Sequence, residues 1–193
     1  MHCPIHVTLR VLPGVPSLRE GTFVLEFRRS LAEASERGSF RVTHYSLQGD
    51  HAHMIVEAHG KEALASGMKS IGARLARAVN RVPERRGPVL DGRYHHRSLR
   101  SPREVRRALA YVLLNARRHL AKSRGVSRSG PPHLDGASSA RWFDGWRREV
   151  ASRFSEASGT PEVARPRTWL LRIGWRRHGL VDPAEVPGAV APA

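Results

Sequence analysis

The sequence predicts an α+β fold, an antiparallel sheet with helices packed on one face. Three observations carry this. Four short stretches are rich in β-branched or alternating apolar residues. Two longer stretches between them carry apolar residues at helical spacing. The order of the pieces is β-α-β-β-α-β, with a further helix behind. Each element has a local reason. Ile5 to Leu12 alternate, and Pro13-Gly14 and Pro16 end that strand. Ser17 is the expected N-cap of a helix from Leu18 to Arg37, with Phe23, Leu25, Phe27 and Leu31 among its apolar positions and Gly38 closing it. Phe40 to Leu47 and His51 to Ala58 are two strands joined by the turn Gly49-Asp50, so they form a hairpin. A second helix runs from about Lys61 to Val82, with Leu64, Met68, Ile71, Leu75 and Val79 on one stripe, and Pro83 breaks it. Gly87 to Leu99 holds a short fourth strand after the turn Asp91-Gly92. Ser101 as cap and Pro102 at the first position open a third helix that reaches about Ser123. This is the ferredoxin-like split βαβ arrangement, which leaves the second face of the sheet open for a site.

Charge narrows the function. The 193 residues carry 33 Lys and Arg against 17 acids, a formal charge of +16. So one-sided a field points to a polyanionic partner, of which nucleic acid is the commonest. A membrane surface is the rival, but no apolar run reaches spanning length and the N-terminus lacks the layout of a signal peptide, so a cytoplasmic, nucleoid-associated protein is expected. The single Cys3 excludes an internal disulfide framework and a cysteine-based zinc site. Residues 1–124 are expected to form one domain, 125–140 a flexible Ser/Gly/Pro-rich loop, 141–182 a basic extension holding all four tryptophans, and 183–193 a disordered tail.

The chemistry begins at His51-Ala52-His53. Residues two apart on a strand share a face, so two imidazoles stand side by side. With 11 His in the chain, chance alone supplies roughly 0.6 such pairs, and the bland alternative is two solvated histidines. The third helix adds Tyr111 and Asn115, four apart and hence one above the other, beside an apolar stripe of Val105, Leu109, Val112, Ala116 and Leu120. Alone, Tyr111 reads as a packing residue. Together the pieces say more. A phenol is a weak nucleophile at neutral pH, and a metal that polarises a phosphate lets a poised Tyr attack it. Two imidazoles plus one amide oxygen suit Mg²⁺ or Mn²⁺.

With these residues in place, the chain resembles the REP-associated tyrosine transposases of the single-tyrosine HUH family. His51-Ala52-His53, Tyr111-Val-Leu-Leu-Asn115, Gly87-Pro-Val-Leu-Asp-Gly-Arg-Tyr94 and the opening His6-Val7-Thr8 all match, over roughly residues 5 to 122. Two positions depart from the pattern: Ala116 follows Asn115 where Pro is common, and Leu90 stands where Trp is usual. The resemblance implies His51, His53 and Asn115 as ligands of Mg²⁺ or Mn²⁺ and Tyr111 as the catalytic nucleophile. It implies cleavage of single-stranded DNA next to a hairpin repeat, through a 5′-phosphotyrosine, in DNA transposition by a monomer or homodimer.

From Arg93 to Arg128 there are eleven Lys and Arg against one acid, Glu104, a local excess of +10. Phosphate contacts dominate nucleic-acid affinity, so Arg93, Arg97, Arg100, Arg103, Arg107, Arg118 and Lys122 are expected DNA contacts. Trp169, Trp175 and Arg176 combine aromatics with arginine, which suits base stacking; docking of the extension on the domain is the equal alternative. A non-catalytic relative that only binds hairpin DNA or RNA is the competing reading of the whole.

Overall fold

The computed structural model describes residues 3–81, 85–118, 134–147 and 159–188. The elements are β1 (Ile5–Arg10), α1 (Gly21–Ala32), β2 (Glu36–Arg37), β3 (Phe40–Leu47), β4 (His51–Ala58), α2 (Lys61–Arg81), β5 (His95–Ser98), α3 (Pro102–Leu113) and α4 (Trp169–Arg172), with 3-10 turns at Ala140–Trp142 and Gly174–His178. The sheet order is β2-β3-β4-β1-β5 and every pairing is antiparallel. β4 lies between β1 and β3, so the α1 connection is a split βαβ unit, as expected.

One face of the sheet carries the main core. Strand alternation sends Val7, Leu9, Ala52, Met54 and Val56 against Phe23, Phe27 and Leu31 of α1 and the expected stripe Leu64, Met68, Ile71, Leu75 and Val79 of α2. At Gly67 of α2 the helix presses on Phe40: a Cβ there would lie 2.2 Å from the ring. A helical Gly→Ala change ordinarily gains up to about 1 kcal/mol. Here Gly67→Ala is expected to lose about 1–3 kcal/mol through overpacking. A denaturant titration showing unchanged or greater stability would refute this contact.

β3 is buried along its whole length, yet does not alternate strictly. Phe40 and Val42, then Tyr45 and Leu47, all face the main core, because the pairing with β4 shifts register between Val42 and His44. This bulge flips the inward set by one residue. The Thr43 hydroxyl donates to the Ile55 carbonyl at 2.9 Å across it.

The first helix is shorter than expected at both ends. Leu18 N–H is taken by the Gly49 carbonyl at 3.0 Å, which holds residues 17–20 in a turn, so the N-cap is Glu20 and Ser17 instead accepts from Arg19 N–H. At the other end Glu36 and Arg37 leave to pair with β3. The third helix opens as expected, with a capping box between Ser101 and Glu104. It does not run on unbroken. Leu114 leaves helical geometry (φ −111°, ψ 17°), and residues 115–118 resume it.

The second sheet face is not open. α3 and the C-terminal segments cover it, building a second core from Ile55, Leu99, Val105, Leu109, Val112, Trp146, Leu171, Trp175 and Val181. An amphipathic α3 with an apolar stripe has to bury that stripe somewhere, and the exposed strand face is the nearest apolar surface. Polar residues remain at both ends of this face: His51 and His53 at one, and the buried pair Arg41 and Glu57 at the other. Of the expected loop 125–140, residues 134–140 are described and pack on β3: Ser139 N–H donates to the Tyr45 carbonyl, and Asp135 forms a bidentate pair with Arg19. The rest of that loop and residues 189–193 of the expected tail lie outside the described residues.

Buried polar groups pin this cover down. Glu162 accepts from the Tyr45 hydroxyl (2.8 Å), from Arg141 (2.8 Å) and from the Trp142 indole. Burial alone would raise its carboxyl, but these donors outweigh it and hold it below the usual range. His44 is buried with its ring edge-on to Phe143, and burial pushes it down from 6.5 to about 4. The unfolded chain therefore takes up a proton as pH falls through 6.5, while the folded chain resists until about 4. Stability is expected to fall across that window by up to about 3 kcal/mol from this group. His44→Gln should flatten the slope of stability between pH 6.5 and 4.5; an unchanged slope would remove His44 as its source.

Candidate active site

The polar end of the second face is built by strand register. β4 alternation puts His51 and His53 on that side, with Ala52 and Met54 in the main core. In the β1–β4 pairing Thr8 stands directly opposite His53, and His6 opposite Ile55. The Thr8 hydroxyl lies 3.0 Å from His53 Nδ1, and His6 Nε2 lies 3.3 Å from the same nitrogen. Asp50, at the hairpin turn, holds His51 Nδ1 at 2.7 Å, and this bond lowers the Asp50 carboxyl below its ordinary range. An ionised carboxylate only accepts, so His51 carries a hydrogen on Nδ1 and turns Nε2 inward. Both rings are thus gripped at Nδ1, which fixes their orientation.

The two inward nitrogens, His51 Nε2 and His53 Nε2, are 3.1 Å apart. Two imidazole nitrogens at that distance must share a proton or a cation. Adjacent ligands about 2.1 Å from one ion would have a similar separation. The Tyr111 hydroxyl comes to 3.4 Å from the same His53 Nε2, its ring edge-on to His53 with centroids 5.0 Å apart. Arg118 lies over the Tyr111 ring at 5.1 Å. Burial first, and then Arg97, which β5 places opposite His6, push His6 down to about 4, so it is neutral at ordinary pH.

Asn115 completes the picture in an unusual way. It is fully buried, and neither its amide oxygen nor its nitrogen has a partner among the described residues. A buried amide left unpaired costs about 1–3 kcal/mol, which a ligand can recover. Among the described residues no three His, Cys, Asp or Glu side chains are arranged to hold a metal. An ion at the His pair would need a further donor beyond the two imidazoles. The orphaned Asn115, one turn past Tyr111, fits that need, and two imidazoles with an amide oxygen are a donor set that Mg²⁺ or Mn²⁺ accepts.

The expected DNA contacts divide. Arg93, Arg100, Arg103 and Arg107 are exposed, and Arg97 pairs with Glu104 at 2.9 Å. A cavity of about 620 Å³, lined in part by His6, Arg97 and Arg107, opens beside the site, large enough for a nucleotide. Lys122 lies outside the described residues. Trp169 is exposed, but Trp175 is not available to bases: it is 1 % exposed, its indole donates to the Leu171 carbonyl, and it packs against Phe143 and the backbone of Gly145. Trp175 is buried because it is part of the second core. Arg176 pairs with Asp144 and lies over the Trp175 ring. Sequence reasoning missed Thr8, His6 and Asp50 as supports. The alternation of His6 and Thr8 on β1 was a visible signal, but only the cross-strand register says which residue they meet.

The architecture is thus an α+β domain with a five-stranded antiparallel sheet, whose covered second face ends where His51, His53 and Tyr111 meet. No family model matches the sequence, and no curated protein matches it. Among solved structures the fold is similar to that of a REP-associated tyrosine transposase bound to a REP hairpin. The match has 14% identity and a TM-score of 0.50, and it covers 70% of this chain and 90% of that one.

Proposed function

We propose that this chain is a metal-dependent single-stranded DNA nuclease and strand transferase, a transposase that cleaves beside hairpin repeats through a 5′-phosphotyrosine. The observation that carries the reading is the convergence of the Tyr111 hydroxyl on His53 Nε2, at 3.4 Å, beside a facing His51 Nε2 at 3.1 Å. The fold of the hairpin-bound transposase supports it. His51, His53 and Asn115 would hold Mg²⁺ or Mn²⁺, and the ion when bound supplies charge that polarises the target phosphate. Thr8 and Asp50 hold the two imidazoles in orientation. Tyr111 attacks the phosphorus; its oxygen–phosphorus bond forms and the bond to the 3′-oxygen breaks, the phenol proton passes to solvent, and the departing 3′-oxygen takes up a proton from solvent to end as a 3′-OH. Arg118 beside the Tyr111 ring, with the exposed Arg100, Arg103 and Arg107, would neutralise the strand. The test is incubation of a labelled hairpin with single-stranded flanks, Mn²⁺ and the protein, followed by denaturing electrophoresis. A covalent species mapped to Tyr111 is expected. Tight hairpin binding with no such species would favour the non-catalytic reading.

A further inference from the structure

We infer that Trp169 is a stacking platform for an unpaired base of the single strand that flanks the hairpin. The inference rests on the reading above and extends the strand's path to the far end of β4. Trp169 and its neighbour Ile173 are 41 % and 54 % exposed, and with Leu25 they are the large apolar side chains left exposed among the described residues. The indole is not loosely attached. A Cβ on Gly174 would lie 2.6 Å from it, so the backbone itself is packed on the ring. The residues just before it are held by Glu57, whose carboxylate accepts from Arg167 N–H at 2.8 Å and Thr168 N–H at 2.7 Å. Glu57 is itself buried against Arg41. An exposed aromatic fixed this firmly is presented rather than left over.

Its surroundings select the partner. Residues 164–181 contain five arginines and no acid. Arg165, Arg172 and Arg177 are exposed and have no ion pair among the described residues. The Arg177 guanidinium lies 4.9 Å from the Trp169 ring centroid. A cleft of about 200 Å³ opens beside the ring, against the end of β4. An aromatic face among unpaired arginines is the combination that binds single strands: the base stacks and the guanidinium takes the adjoining phosphate. Five arginines with no acid make a one-sided positive field, which suits a polyanion. Glu57 and His53 share one side of β4 four residues apart, about 13 Å along the strand. Because α3 covers that face, a flanking strand leading away from Tyr111 would pass around the cover rather than along β4, with Arg177 turning from the ring to the phosphate as the base enters.

The test uses intrinsic tryptophan emission of the full chain. Titration with a DNA hairpin carrying an eight-thymidine flank is expected to quench emission, and a flankless hairpin to quench it far less. Trp169→Phe should remove most of the flank-dependent quenching while keeping affinity. Trp169→Ala should weaken binding of the flanked hairpin roughly tenfold and leave the flankless one unchanged. Equal loss for both hairpins, or no flank-dependent quenching in the unsubstituted protein, would overturn the inference. The Tyr111 adduct is scored separately, so a failed platform with a persisting adduct, or the reverse, tells the two proposals apart.

Discussion

Tyr111→Phe is expected to abolish the covalent DNA–protein species, by at least about 10³-fold in rate, while hairpin affinity changes by less than about threefold. Losing a nucleophile is among the largest single-residue effects in catalysis. The fold should hardly notice. Phe keeps the edge-on contacts with His53 and His6 and the ring under Arg118. Only a partly buried hydroxyl disappears, worth about 1 kcal/mol. Adduct yield with Mn²⁺ and hairpin binding on the same preparation separate the two. An adduct that survives in Tyr111→Phe would mean another residue attacks, and the proposed chemistry would fail at this residue.

Asn115→Leu is expected to move stability and activity in opposite directions. Leucine is close in volume and removes two buried polar atoms that have no partner among the described residues. Without metal, the variant should be more stable by about 1–3 kcal/mol. With Mn²⁺ the order reverses in its consequence. The unsubstituted protein should gain thermal stability, about 2.7 kcal/mol at a hundred times the dissociation constant, and the variant should gain little. Adduct formation should fall with the metal response. A variant that is destabilised without metal and responds to Mn²⁺ as the original does would make Asn115 a packing residue. Thermal melts with and without Mn²⁺ decide this without any activity assay.

Local rules made much of the fold legible. The period-2 and helical patterns located the strands and helices, and Ser101, Pro102 and Glu104 announced the start of α3. The limits of that reading are equally local in origin. The helix before β2 reads as twenty residues because its composition is helical throughout, yet its first turn is held by Gly49 and its last residues join the sheet. The β3 bulge is invisible because both registers would bury apolar residues. Trp175 and Trp169 look alike in sequence, six residues apart in one basic stretch. Packing separates them, burying one and exposing the other.

For the candidate site the division is the same. The residue types and their spacing, two histidines on one strand face and a Tyr and Asn one helical turn apart, follow from the sequence, because periodicity alone dictates which side chains share a face. That Thr8 grips His53, that the Tyr111 hydroxyl reaches it, and that Asn115 is left buried without a partner among the described residues follow from contacts between residues 45 to 58 positions apart and from the break at Leu114. Those depend on cross-strand register and on where α3 settles over the sheet, and both are set by burial of the whole apolar surface rather than by any local stretch of chain.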